Sequence, residues 1–574
     1  MAKSELSNWH GKIRAMAGCS KESAHWAMSL HPQPWGDVPE ETARVARASF
    51  PKGNTIMRLR DEFGALYQDE DFAALFPRHG QPAWSPWRLA LITVYQFLEQ
   101  LSDRSAADAV RGRLDWKYAL SLELDDSGFD HTVLSEFRTR LVNGNAELLL
   151  LDQMLSRFRE SGLLKSRGKQ RTDSTHVLTS VRVLTRHEHL AETFRAALNT
   201  LATVDPFWLK PWVPEAWFER YGRRMEEFRL PKSKANRTVY LQQLGQDGFR
   251  LLDALEQDED LVQLRSLPAI HLLHAAWHHH FARQPDGVRL RDPEELGPHS
   301  ERFNSPYDPE ARFAQKKNRR WYGYKVHLTE ACDDDLPHLI THVHTVPAFQ
   351  ADIDAMTPVH TALSRKQVTP AEHFVDSAYV STASLVNGAN PEGIEVVGPI
   401  RADAHWQSRE PDAFSLQAFQ IDWEARAVTC PQGHVSRKWL VRERPKRTVI
   451  SVRFARRDCL HCPVRQRCTR NVSGHARELT LMPQELFEAR NAQRATQHGQ
   501  PWLTRYRCRA GIEGTISQGV RAYGLRQARY RGERKTQLQA GCLATAINVE
   551  RLVAWLTGRP RETTRISRFA ALVG

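Results

Sequence analysis

Apolar positions recur along this chain in two periods, and the switches between them divide it. Residues 1 to about 80 mix Trp, Pro and short helical patterns without a motif. After Ser85, a largely apolar stretch holding Leu89, Ile92 and Phe97 predicts a helix, with Ser85 as cap and Pro86 at the first helical position. A second helix is predicted from Ser105, with Asp108 three residues on as an approximate capping box, and a third from Asp130 through Phe137 and Leu141. RTDSTHVL, residues 171–178, is β-branched enough for a strand. From Arg182 to Asp286 the pattern is mostly that of amphipathic helices, an insertion between this strand and the next. Strict alternation then returns: Tyr322, Tyr324, Val326 and Leu328 alternate with Gly323, Lys325, His327 and Thr329, HLITHVHTVPA follows, and the turn CDDDLP between them implies an antiparallel hairpin. ADIDAMTPVHTALSRK reads as a helix, HFVDSAYVS as a short apolar strand ending in Asp376, and IEVVGPI as a further strand. Ile512, Ile516 and Val520 form the apolar stripe of a late helix. A long, largely apolar helix capped by Thr536 and stopped by Gly558 and Pro560 is predicted to pack on the sheet, followed by a basic tail.

Length and charge narrow the partners. At 574 residues and 41% hydrophobic content the chain can fill about three or four structural units of roughly 150 residues. The excess of 80 Lys and Arg over 67 Asp and Glu, a formal +13, favours an anionic partner such as nucleic acid. It is concentrated: from Pro501 to Lys535 nine Lys or Arg stand against Glu513 and Glu533, a net +7. The opening residues lack the apolar core of a signal peptide and no run approaches the ~18 apolar residues of a membrane span, so a soluble intracellular protein is expected. Eight cysteines are too sparse for a disulfide framework, and four of them cluster, which suggests metal in a reducing compartment.

Several residues could carry chemistry. Read as one helix, Tyr506, Arg509 and Glu513 share a face, so a carboxylate looks the same way as a phosphate-binding Arg and a stackable Tyr. The plainer reading of Arg509 and Glu513 is an i,i+4 surface pair contributing roughly 0.2–0.5 kcal/mol. Cys459, Cys462 and Cys468, with Cys430 from upstream, make a four-cysteine tetrahedral zinc site, with His434 or His461 as substitute ligand, in a small knuckle ordered by metal rather than by a core; four unconnected thiols are the alternative. His271, His274 and His278 share a helical face, and a partly exposed histidine face is favoured there over a metal site. Lys316, Lys317, Arg319 and Arg320 form a basic run, either a solvated loop or a phosphate contact. Arg104, Arg111, Arg113, Arg138 and Arg140 lie among the early helices, either a helix-turn-helix unit gripping DNA or a plain helical bundle.

These strings resemble one family. Tyr506, Arg509 and Glu513 match in register the Y-x2-R-x3-E-x6-K signature of DDE transposases of bacterial insertion sequences, although its final Lys position holds Val520 and the nearest cation is Arg521. TDSTHV resembles the first catalytic-aspartate strand of the same transposases, CP-x-G-H and C-x2-CP-x4-CT their zinc-ribbon-like insertion, and Pro86 to Lys165 their helical N-terminal domain. The resemblance implies an α/β fold: a ribonuclease-H-like mixed-sheet core over 166–181, 305–400 and 500–560, interrupted by a helical insertion (182–304) and a Cys-rich insertion (401–499). A helical, DNA-binding domain over 85–165 precedes it, 1–84 have no assigned role, and 561–574 form the basic tail. It further implies that Asp173, Asp376 and Glu513 hold two Mg2+ (or Mn2+) ions, which offset the mutual repulsion of the carboxylates, for cleavage at transposon ends and strand transfer into a target. Tyr506, Arg509, Arg521, Lys316 and Lys317 would contact DNA, Cys430, Cys459, Cys462 and Cys468 would hold structural Zn2+, and the protein would act as a cytoplasmic, nucleoid-associated homodimer on double-stranded DNA carrying terminal inverted repeats. The alternatives are a ribonuclease-H-like nuclease that never joins strands and a catalytically inactive, domesticated DNA-binding regulator.

Overall fold

The computed structural model describes residues 29–285, 287–298, 302–316, 318–386, 392–445, 447–471, 473–559 and 572. The described residues form two compact units, one up to residue 146 and one from residue 147 on.

The first unit is helical. Its centre is the helix Pro86–Leu98, buried almost all round because its sequence is apolar almost all round. Trp87, Tyr95, Trp116 and Tyr118 fill the space around it. Ser85 precedes this helix but does not cap it with its own side chain. The buried Asp69 does so instead, accepting from the Trp87 amide (2.9 Å) and the Ser85 hydroxyl (2.8 Å), a cap supplied from elsewhere in the chain. The second helix is Asp103–Gly112, capped by Ser102 rather than Ser105: Ser102 Oγ accepts from the Ser105 amide at 3.1 Å. The third is Thr132–Asn143, with Asp130 accepting from the Thr132 amide just ahead of it. Helices Glu40–Ser49 and Thr55–Phe63 occupy the stretch that showed no motif, each with only a narrow buried face. Of the five arginines singled out among the early helices, Arg113 pairs with Glu99 and Asp115, Arg138 with Asp103 (2.5 Å) and Arg111 with Asp108 (2.9 Å), while Arg140 lies over the Phe76 ring. Arg104 alone is exposed without an ion pair among the described residues.

The second unit is built on a six-stranded mixed sheet. Strand β1 (Lys169–Leu178) is followed by a short hairpin, β2 (Phe281–Gln284) and β3 (Gly287–Leu290), and then by β4 (Arg312–Lys316), β5 (Arg319–Ala331), β6 (Ile340–Pro347), β7 (Glu372–Phe374) and β8 (Glu395–Val397). The sheet runs β4-β5-β1-β7-β8, with β6 beside the outer part of β5. β5 is antiparallel to β1, β4 and β6, whereas β7 and β8 run parallel to β1. Three antiparallel strands continued by two parallel ones are the ribonuclease-H-like arrangement. Residues between β1 and β4 form the insertion, chiefly the helices Arg186–Val204, Lys234–Gln257 and Pro268–His280, around a core of their own that includes Phe194, Trp217 and Trp277. The β2–β3 hairpin, absent from the helical expectation, is part of it.

The Cys-rich stretch adds β9 (Gln420–Asp422) paired with β10 (Ala427–Thr429), and a three-stranded sheet ordered β11 (Lys438–Arg444), β12 (Arg447–Arg453), β13 (Glu478–Leu481). Val428, Val452, Phe454, Leu479 and Leu481 give it a small hydrophobic core, so a core orders this region, against the expectation of a knuckle ordered by metal alone. The terminal helix is Glu533–Leu556 and starts ahead of Thr536, whose hydroxyl donates back to the Gly532 carbonyl. It covers the sheet's edge with amide side chains. Asn548 exchanges two hydrogen bonds with the Ile340 backbone, and Gln537 bonds the Thr345 amide and the Val343 carbonyl, so the open side of β6 is satisfied by a helix rather than by another strand. Of the basic tail, only residue 572 lies within the described residues.

Candidate active site

The parallel pairing of β1 with β7 brings two of the predicted acids together. Its last paired step is Arg171 with Phe374. Two residues further along each chain come Asp173 and Asp376, side by side where the strands emerge from the ladder. Backbone amides orient both: Asp173 accepts from Ser174 and Asp376 from Ala378, each at 2.7 Å. Burial pushes the Asp173 carboxyl up to about 6, with the neighbouring Asp376 adding to the rise while Arg509 and Lys316 pull against it.

The third acid arrives from a broken helix. Gln500–Tyr506 passes through a 3-10 turn, Arg507–Ala510, into Gly511–Tyr523, so Tyr506, Arg509 and Glu513 are not on one continuous α-helix. They still converge. Tyr506 donates to the carbonyl of Val375, the residue before Asp376, at 3.1 Å. Arg509 donates to Asp173 Oδ2 at 2.6 Å and to Glu513 Oε1 at 2.5 Å. Its side chain is only 15% exposed and Glu513's is 64% exposed. Arg509 is therefore a bridge between two acids and not the isolated surface pair that the spacing allowed. Ile512 and Ile516 face the core as predicted, with Val520 half-buried.

A buried ion network fixes this turn against β1. Glu330, opposite Arg171 in the β1–β5 ladder, is fully buried and accepts from Arg171 Nε (2.6 Å), Arg551 Nη1 (2.7 Å) and Thr515 Oγ1 (2.5 Å). Burial alone would raise its carboxyl, but Arg551 and Arg171 overcome that and hold it below the usual range. Arg171 also donates to the Cys508 carbonyl at 2.5 Å. Gly511 makes this approach possible, since a Cβ there would come within 2.0 Å of the Arg171 guanidinium. At the far end of the same helix Gly524 adopts φ 64°, the left-handed conformation that ends it. The sequence reading missed Arg171, Glu330 and Arg551 because each by itself is an unremarkable charge.

The predicted cations are spread along the rim. Lys316 is exposed at the end of β4 and acts electrostatically on both Asp173 and Asp352. Lys317 lies outside the described residues. Arg521 is exposed and makes no ion pair among the described residues. A cation the sequence reading passed over is Arg526, whose Nε donates to Thr175 Oγ1 at 2.9 Å, two residues along β1 from Asp173. Arg319 stands nearby, 3.4 Å from His176. Burial, Arg526 and Arg319 drive His176 down to about 4, so its imidazole is uncharged near neutrality. Asp352, a fourth acid, is taken by Lys325 at 2.8 Å. Between this pair and the loop after Asp376 runs a groove lined by Lys316, Phe349, Ser377, Ser381 and Arg401.

Cys430, Cys459, Cys462 and Cys468 line one pocket together with His434 and Asp458, whereas His461 does not reach it. All four thiols are free. Burial raises Cys468 to about 11, and the other three cysteines add to the effect. Among the described residues no three His, Cys, Asp or Glu stand as a ready-made metal site, in part because Arg509 lies between Asp173 and Glu513. On the insertion helix, His274 stacks near His278 (4.1 Å) and is 3.9 Å from Glu256, an acid the sequence reading had not placed beside them.

No helix among the described residues is long and apolar enough to cross a membrane. Compared with known families, residues 429–553 match the transposase DDE domain, a stretch that holds the Cys pocket, Tyr506, Arg509, Glu513 and the terminal helix. Residues 45–140 match a second transposase domain, which covers most of the helical unit. No curated protein and no solved structure matches the chain.

Proposed function

Starting from a chain that is a DDE transposase of the insertion-sequence type, a nucleic-acid-processing enzyme that acts on DNA, we propose that Asp173, Asp376 and Glu513 are its catalytic acids, cutting DNA at the element's ends and joining the freed 3′ ends to a target. The observation that carries this reading is that Arg509 ties Glu513, on a late helix, to Asp173 on β1, while Asp376 stands beside Asp173 just past the end of β7.

The donor set fits the divalent metals that this family uses. Three carboxylates against one arginine leave an excess of two negative charges, the donors are hard oxygens, and one Asp376 oxygen takes no hydrogen bond among the described residues. Mg2+ or Mn2+ held by Asp173, Asp376 and Glu513 would supply water activation and stabilisation of the leaving 3′ oxygen. The chain's own part is positioning. Tyr506 holds the Val375 carbonyl and so fixes the backbone from which Asp376 projects. Arg509 turns from the carboxylates to the scissile phosphate, which its planar fork can grip with two parallel hydrogen bonds. Lys316, Lys317, Arg319, Arg521 and Arg526 hold neighbouring phosphates, contacts that place the duplex without reading its bases. Cys430, Cys459, Cys462 and Cys468 would hold one structural Zn2+: thiolates suit zinc, and the four line one pocket. The protein works as a homodimer that pairs two element ends.

The test uses duplexes carrying the inverted repeats that flank the gene, with Mg2+. Asp173→Ala, Asp376→Ala and Glu513→Ala should each abolish cleavage while leaving duplex binding largely intact. Full cleavage by any one of them overturns the assignment, and cleavage by the wild type without joined products would reduce the enzyme to a nuclease.

A further inference from the structure

The hairpin formed by β11 and β12 carries a run of exposed cations away from the acidic site. Arg437, Lys438, Arg442, Arg444 and Arg447 lie on it, all exposed. Its register pairs Arg442 with Val449, Glu443 with Thr448 and Arg444 with Arg447. Strand β13 joins only at Ile450–Arg453, so beyond Val449 the hairpin continues as a ribbon of two strands. None of the five cations forms an ion pair among the described residues, and Glu443, the only acid in β11, accepts from the Thr448 hydroxyl at 2.7 Å. The helical unit shows the contrast, since most of its singled-out arginines are matched by carboxylates.

An exposed edge strand commonly carries a charge or two that discourage pairing with other strands. Five unmatched cations on one hairpin exceed that need. They repel one another, and their arrangement makes sense against a dense anionic partner. A two-stranded β-ribbon has the width to enter the major groove of duplex DNA, and arginines along it can reach phosphates on the groove's walls. We propose that the β11–β12 hairpin is a DNA-binding ribbon, a contact surface separate from the acidic site, with Arg442, Arg444 and Arg447 on the backbone of duplex DNA. The proposal rests on the reading that this chain acts on DNA, but not on which acids do the chemistry.

The experiment measures binding of the full-length protein to a random-sequence duplex in Ca2+-free buffer without added Mg2+ or Mn2+ and without chelator, so that cleavage plays no part, across a series of salt concentrations. Replacing Arg442, Arg444 and Arg447 together by Ser should weaken binding and make log K less steep against log salt, by about one unit for each lost contact. The Arg→Lys versions of the same three keep the charge and should retain most of the slope, which also shows that the hairpin tolerates replacement. Resistance to chymotrypsin at Trp439 and Leu440, where Trp439 packs on Trp423 at the base of the hairpin, reports whether the ribbon still folds. An unchanged slope in a folded Ser variant overturns the proposal. So does a Ser variant that binds DNA normally but self-associates, because the cations would then only guard the strand edge. Since Asp173→Ala is scored by cleavage and the ribbon by binding without added Mg2+, failure of one reading leaves the other standing.

Discussion

The β1–β5 ladder carries two acidic centres a few residues apart, and they are built to opposite rules. Around Glu330 one carboxylate faces two arginines and a hydroxyl, the carboxylate and Arg171 are buried with Arg551 partly so, and each carboxylate oxygen has a partner. Around Asp173 one arginine is divided between two carboxylates with Asp376 as a third acid alongside, Glu513 stands mostly in solvent, and an oxygen of Asp376 is left over. The same residue types occur in both. What separates the two is the ratio of charges and the access of water. The first centre holds the turn that supplies the second with Arg509.

That contrast can be broken most severely at Glu330. Glu330→Ala leaves Arg171 and Arg551 buried without a counter-charge, a loss of about 3–5 kcal/mol of folding stability by analogy with other broken buried pairs. Asp173→Ala removes an acid from the open centre and should cost far less, while abolishing cleavage. Urea unfolding of the two variants side by side makes the comparison, and equal losses would erase the distinction drawn here. Gly511→Ala comes next. Its methyl group enters the space of the Arg171 guanidinium, so a loss of about 1–3 kcal/mol is expected from overpacking, together with weakened cleavage from a displaced Glu513. A fully active, fully stable alanine variant would mean the turn is looser than it stands.

A smaller effect is expected at the Cys pocket. Cys462→Ser should release about one zinc per chain, seen by metal analysis of reduced protein. Because β11–β13 have their own core, the loss of structure should stay local, seen as faster proteolysis around the pocket with the rest of the chain unaffected. The smallest effect is at Arg509. Arg509→Ala should lower the salt dependence of duplex binding by about one unit of slope. An arginine that only bridges Asp173 and Glu513 would leave the slope unchanged.

How much of this could be read from the sequence follows from how far apart the interacting residues lie. The strands around Asp173 and the β5–β6 hairpin are legible because their alternation is local. Asp376 stands out as a polar residue closing a short apolar run, and the cysteine spacing is equally local. The Glu330 network could not be read: its charges come from positions 171, 330 and 551, and no window of sequence holds two of them. The cap from Asp69 escaped for the same reason, as Ser85 itself is a perfectly good cap residue. The unmatched final Lys of the signature is instructive as well. Val520 is half-buried where a cation was expected, and the arginine that reaches β1 is Arg526, brought back by the loop after Gly524 rather than by helical spacing.

The terminal helix also sets an order in time. Asn548 and Gln537 complete the edge of β6, and Arg551 completes the Glu330 network, so neither is finished until the last helix has been synthesised. Asp173 leaves the ribosome 340 residues before Glu513, a delay of roughly 20–70 s at translation rates of about 5–20 residues per second. During that interval the nascent chain carries an uncovered strand and an acidic strand with no third acid. On the proposed assignment, a chain cut short before Glu513 lacks the third acid, and one cut short before the final helix lacks Arg551 and the cover of β6.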